Sequence, residues 1–195
     1  MPTVVLIHGA HQSKASFEYL RHSLPSWNYV NIEWKVDGGF HTNLATMVSA
    51  TKDIGPVYIV GHSMGGIYAA HLSQYTDCIG GATLSTPWAG SVTADWLRYT
   101  SPTYLLYKEV GTKSPIITQA CGFKLPGRWS NYVSTEGNVP GIAARNDCVL
   151  TVDSMASRKD VHTKYVKATH YEILMHTPLI HAIGDHMYKA SEAIK

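Results

Sequence analysis

The run Val57-Tyr58-Ile59-Val60-Gly61-His62-Ser63-Met64-Gly65-Gly66 decides how this chain folds. Four β-branched or aromatic residues make a short apolar strand, and the glycine-rich turn follows without a gap. A helical segment leaves the turn and runs to about Gln74. Gly61-His62-Ser63-Met64-Gly65 has the form G-x-S-x-G in a strand–turn–helix context. Such a turn needs small residues two before and two after the serine, because neighbouring backbone approaches closely there. The hydroxyl of Ser63 then projects clear of its own chain. The helix start adds backbone N–H groups and partial positive charge. The bland alternative, a glycine turn that only packs helix on strand, is weakened by the flanking elements and by the features below.

Outward from this run, short β-branched segments alternate with helical ones. Thr3–Ile7, Tyr29–Trp34, Val57–Val60, Ile79–Ser85, Val139–Ala144 and Lys164–Ala168 read as strands. Ser13–Leu24, Thr42–Lys52, about Ser154–Lys159 and about Pro178–Ala193 read as helices, with Ser13 as an N-cap and Pro25 as a stop. This alternation predicts βαβ units and a parallel sheet covered on both faces. Trp88 to about Asn138 breaks the rhythm. It shows no clear strand and is rich in aromatics, Gly and Pro, with a helix expected over Thr93–Tyr99.

A serine is a poor nucleophile without a base. Of the 11 histidines, His8, His62 and His71 sit where they orient backbone or pack. His170 follows the last strand and precedes the last helix, and in this strand–turn–helix motif the base comes late in the chain. His176 is the runner-up. His181 and His186 lie on the closing helix without metal-binding spacing, so no metal is expected. The partner acid is expected between serine and histidine. Asp147 in Ala144-Arg145-Asn146-Asp147 lies on such a turn, whereas Asp153 reads as a helix start and Asp160 as a helix end. A developing oxyanion needs two N–H donors. Met64, after the serine, supplies one, and Ala10 in His8-Gly9-Ala10 supplies the other.

At these residues the chain resembles the α/β-hydrolase superfamily, and more narrowly its small bacterial-type lipases and esterases. Val4-Val5-Leu6-Ile7-His8-Gly9 is similar to the oxyanion strand, and Gly61 to Gly66 to the nucleophile elbow. Leu84-Ser85-Thr86-Pro87-Trp88-Ala89-Gly90-Ser91 resembles a lipase S/G-T-P-H-x-G-S segment, with Trp88 where histidine is common. Asn146-Asp147-Cys148-Val149-Leu150 resembles the acid loop, with Cys148 where glycine is frequent, and Thr169-His170-Tyr171-Glu172-Ile173-Leu174 the histidine loop. The resemblance implies a three-layer α/β fold with a mostly parallel sheet of about six strands and helices on both faces. The family's first two strands have no counterpart in the chain, which implies a minimal core. The whole of 1–195 reads as one domain, with about 88–138 as an insertion that partly covers the site.

The implied chemistry is hydrolysis of carboxylic esters through Ser63, His170 and Asp147, with no cofactor. The substrate is a small ester with an apolar acyl or aromatic group, met by His11, Trp88 and Tyr171. A thioesterase, amidase or acyltransferase on the same residues is the alternative, as is a weakly active ligand-binding protein.

Composition narrows the rest. The chain is 45% hydrophobic and 15% charged over 195 residues, which suits one globular domain. The net charge is +2, and Lys159, Lys164 and Lys167 are interrupted by Asp160, so no nucleic-acid footprint is expected. No run nears the ~18 apolar residues of a membrane helix. The N-terminus has no signal-peptide pattern, and Cys78, Cys121 and Cys148 are an odd number. Both features point to a reducing, cytoplasmic setting with free thiols, although the spacing leaves a Cys121–Cys148 bridge open.

Overall fold

A computed structural model of the chain describes residues 1–194. Six strands alternate with helices: β1 (Thr3–Ile7), α1 (Glu18–Ser23), β2 (Asn28–Ile32), α2 (Phe40–Thr51), β3 (Val57–His62), α3 (Met64–Leu72), β4 (Cys78–Leu84), α4 (Val92–Thr100), α5 (Leu105–Val110), α6 (Pro115–Gly122), β5 (Arg128–Ser134), α7 (Val152–Met155), β6 (His162–Val166) and α8 (Thr177–Glu192). Ser13 caps a 3-10 turn, Lys14–Phe17, that leads into α1; its side chain accepts the Ala15 N–H.

All neighbouring strands are parallel, in the order β2-β1-β3-β4-β5-β6. The central strands are buried on both faces, which is why β1 and β3 read as nearly continuous apolar runs. Their side chains alternate between two cores. Val5, Ile7 and Ile59 join Phe40, Leu44 and Met47 of α2 and Ile67 and Leu72 of α3. Val4, Leu6, Tyr58 and Val60 join Leu20 of α1 and Leu179, Ile180, Ile183 and Met187 of α8. Each fully buried side chain of this size contributes roughly 1.5–3 kcal/mol of transfer free energy. The two cores are the two outer layers of helices pinned to the sheet.

Chain order places the functional end. From β1 the chain moves to one side to make β2, then crosses back to make β3 on the other side. The connections leaving β1 and β3 therefore diverge at their carboxyl ends and open a crevice there. His8-Gly9-Ala10 follows β1 and Ser63 follows β3.

Two sequence expectations are corrected. Val139–Ala144 is not a strand: it is a surface turn, with Gly141 at φ 85°. The fifth strand is β5, inside the stretch that showed no strand pattern. Its sequence Arg-Trp-Ser-Asn-Tyr-Val-Ser carries polar residues where a buried strand normally carries aliphatic ones. Ser130, Asn131 and Ser134 are nevertheless buried, because hydrogen bonds from other elements satisfy them. Asn131 shows this most fully. Its Oδ1 accepts from Thr83 Oγ1 and Trp88 Nε1, and its Nδ2 donates to the Met155 carbonyl. All three cysteines are free thiols, with Cys78 buried. Among the described residues no helix is long and apolar enough to cross a membrane.

Candidate active site

Ser63 has φ 54° and ψ −127°, a conformation disfavoured for any residue with a side chain. The glycines around it make that turn possible. A Cβ at Gly61 would collide with the backbone of Gly65 and Gly66, one at Gly65 with the carbonyls of Ile7 and His8, and one at Gly66 with the Thr86 side chain. The elbow thus presses α3 directly against the end of β1 and against the segment after β4. Met64 opens α3, so its N–H has no acceptor within the helix.

The loop after β1 is built by His8. Its Nδ1–H donates to the Gly9 carbonyl at 2.7 Å, and its Nε2 accepts the Trp34 N–H at 3.3 Å. The Trp34 indole stacks on the imidazole and donates to the His8 carbonyl at 2.9 Å. Burial lowers the pKa of His8, consistent with this neutral tautomer. Gln12 then ties the loop to the elbow: its Oε1 accepts the Gly9 N–H at 2.8 Å and lies 2.8 Å from His62 Nδ1. On its other edge His62 Nε2–H donates to the His170 carbonyl at 2.8 Å. Burial and the neighbouring His170 push His62 down to about 3. His62 thus lies between the loop after β1 and the loop that carries His170. Sequence reading put His62 among orienting residues but missed Gln12, whose contact with His62 spans 50 residues of chain.

Asp147 and His170 come together from different loops. His170 Nδ1 lies 2.7 Å from Asp147 Oδ2, and the His170 N–H donates to the Asp147 carbonyl at 2.9 Å. The carboxylate is fully buried. Its Oδ1 accepts the N–H groups of Val149 and Leu150 at 3.0 and 2.8 Å, and its Oδ2 also accepts the Ser134 hydroxyl at 2.5 Å. Burial by itself would raise the carboxyl pKa, but His170, Ser134 and Leu150 outweigh it and hold Asp147 below its ordinary value. An ionised Asp147 only accepts, so it favours the His170 tautomer that carries its proton on Nδ1. Cys148 takes φ 81°, which explains why glycine suits this place in the loop.

Ser63, His170, Met64 and Ala10 line one cavity of about 250 Å³. No hydrogen bond joins Ser63 Oγ to His170 among the described residues. His11 and Tyr171 also line the cavity. His11, at φ 57°, bonds and stacks with Tyr104, its Nε2 lying 2.9 Å from the phenol oxygen. The remaining wall is mostly aliphatic, with Leu97, Leu106, Val110 and Leu150, and no Lys, Arg, Asp or Glu faces the space.

Trp88 is corrected as a substrate contact. It is 2% exposed, lies in the sheet core beneath the Arg158 guanidinium, and donates to Asn131. The segment from Trp88 to Tyr107 reaches the cavity instead through Ala94, Leu97, Leu106 and Tyr107 of the α4–α5 pair. Of the other histidines, His176 caps α8, accepting the Leu179 N–H, and His71 lies 3.0 Å from the Ile116 carbonyl. Asp153 sits in the first turn of α7.

No family model matches the sequence, and no curated protein matches it. Solved structures do. The chain superposes on lipase BlEst2 of Bacillus licheniformis in its mature form with a TM-score of 0.67 at 17% identity, covering 92% of this chain and 91% of that one. A lipase-esterase related protein from Clostridium acetobutylicum matches at 0.63 and 12% identity over 94% and 93% of the two chains. Tomato methylketone synthase I, solved with 2-tridecanone, matches at 0.63 and 11% identity over 97% and 98%. The strand order, the serine elbow after β3 and these superpositions together identify the chain as having the α/β-hydrolase fold.

Proposed function

We propose that the chain is a serine hydrolase that cleaves carboxylic esters through an acyl-enzyme on Ser63. The observation that carries this reading is the buried Asp147–His170 pair, 2.7 Å apart, opening onto the same cavity as the strained Ser63 elbow. In this reading His170 Nε2 takes the Ser63 proton as Oγ attacks the ester carbonyl. Asp147 fixes the tautomer and stabilises the imidazolium. The N–H groups of Ala10 and Met64 hold the oxyanion: both residues line the cavity, and among the described residues no neighbouring loop engages either N–H. His170 then protonates the leaving alcohol and activates the water that releases the acid.

The uncharged, aliphatic wall and the size of the cavity favour a short, neutral, apolar acyl group. At about 250 Å³ the space falls below the roughly 300–1,000 Å³ of drug-sized ligand sites. The chain needs no cofactor for this chemistry. A fluorophosphonate probe followed by peptide mapping tests the assignment. Label on Ser63, lost in Ser63→Ala together with hydrolysis of p-nitrophenyl butyrate, is the expected result. Undiminished hydrolysis by Ser63→Ala refutes it.

A further inference from the structure

Behind Asp147 lie two serines that the reaction described above does not use. Ser134 closes β5, and Ser85 follows β4 on the adjacent parallel strand. Both are 0% exposed. Ser134 Oγ donates to Asp147 Oδ2, the same oxygen that faces His170 Nδ1. An ionised carboxylate only accepts, so the single Ser134 proton is committed to Asp147. Ser85 Oγ lies 2.6 Å from Ser134 Oγ and must therefore be the donor in that pair. The row runs one way, from Ser85 to Ser134 to the carboxylate, and His170 Nδ1 meets the same carboxylate oxygen. Aligned donors of this kind polarise one another in a buried setting.

Ser85 adds an independent sign. Its φ is 49°, a left-handed backbone that favours glycine, yet a serine with an engaged hydroxyl stands there. Ser85 and Thr86 belong to the Leu84-Ser85-Thr86-Pro87 segment, whose lipase-like pattern the Ser63 chemistry leaves unexplained. Thr86 fills the space that Gly66 leaves beside α3.

We propose that Ser134, backed by Ser85, is a positioning residue for the acid: it holds Asp147 Oδ2 in line with His170 Nδ1 and draws charge from that oxygen. The inference rests on the serine-hydrolase reading. Loss of the Ser134 hydroxyl leaves Oδ2 with one donor fewer and a stronger hold on the His170 proton. The other titratable groups against His170 are His62 from the elbow and Tyr171 from its own loop. His62 stays neutral, so Asp147 sets the response.

The test compares full pH profiles of kcat/KM on p-nitrophenyl butyrate for wild type, Ser134→Ala, Ser134→Thr and Ser85→Ala, with fluorophosphonate labelling and Tm for each. Ser134→Ala is expected to lower kcat roughly tenfold with little change in KM, since a charge-assisted bond to the acid is lost. The acid limb of the profile moves to higher pH, which a purely structural loss would not produce. Ser134→Thr restores the limb, and Ser85→Ala shifts it less, in the same direction. A folded Ser134→Ala with wild-type kcat and an unmoved limb overturns the proposal. Where the alanine variant does not fold, Ser134→Cys keeps the volume with a weak donor, and an unmoved limb there overturns it equally. Wild type that neither labels nor hydrolyses overturns the serine-hydrolase reading, and the proposal with it.

Discussion

Asp147→Asn is the perturbation whose outcome the structure constrains most tightly. The substitution keeps shape and volume, and its amide oxygen can still accept from the N–H groups of Val149 and Leu150, which both bond Oδ1. The new NH2 group replaces Oδ2, which accepts from Ser134 and faces His170. A donor there meets the Nδ1–H of His170 head on. The imidazole resolves the clash by moving its proton to Nε2, and the base that the proposed mechanism needs towards Ser63 is lost. Loss of the right tautomer costs roughly four orders of magnitude in kcat in a related triad, and the same magnitude is expected here. The assay is kcat on p-nitrophenyl butyrate, with Tm measured across acidic pH. Asp147 is held below its ordinary pKa in the fold, so ionisation favours the folded state. The sign follows: its contribution is full above the unfolded carboxylate value near ~4 and fades as pH falls through the lower folded value. Asp147→Asn should therefore weaken the protein near neutrality and flatten its loss of stability at acid pH. A folded variant that retains more than a tenth of wild-type kcat refutes the role given to Asp147.

Four further outcomes can be checked directly. Cys148→Gly relieves the left-handed backbone at φ 81° and should raise Tm by about 2–4 °C, the response to ~1 kcal/mol in a domain of this size; an unchanged or lower Tm, read by calorimetry, argues against strain there. Gly65→Ala drives a Cβ into the Ile7 and His8 carbonyls, and backbone cannot yield as a side chain can, so loss of fluorophosphonate labelling with a clear drop in Tm is expected. Gln12→Ala frees the Gly9 N–H and His62 Nδ1 and should lower kcat by roughly tenfold through a loosened oxyanion loop, with labelling slowed in parallel. Leu106→Ala removes a branched side chain from the cavity wall, so the best p-nitrophenyl ester should become longer; an unchanged chain-length profile would place the acyl group elsewhere.

The sheet's first four strands and its last were legible because each is a local pattern: a β-branched run, a turn and a helix start close together in the chain. β5 was not, because Asn131 and Ser134 read as loop residues until their partners at Thr83, Ser85, Trp88 and Met155 are known. The apolar Val139–Ala144 misled for the opposite reason: its residues look like a strand, but no neighbouring strand pairs with them. Trp88 misled as well, since an aromatic after a strand end can face the crevice or turn beneath the sheet, and only packing against Arg158 decides.

Sequence by itself determined the turns. The glycines of the elbow, the His-Gly after β1 and the loops carrying Asp147 and His170 are set by which backbone angles and approaches each residue tolerates, a property of a few neighbours in the chain. Tertiary structure decided the connections. The bonds from Ser85 to Ser134, Ser134 to Asp147, Asp147 to His170 and His62 to His170 span 49, 13, 23 and 108 residues. Distances that long along the chain become hydrogen bonds only when strand order and register bring the ends of β3, β4 and β5 side by side.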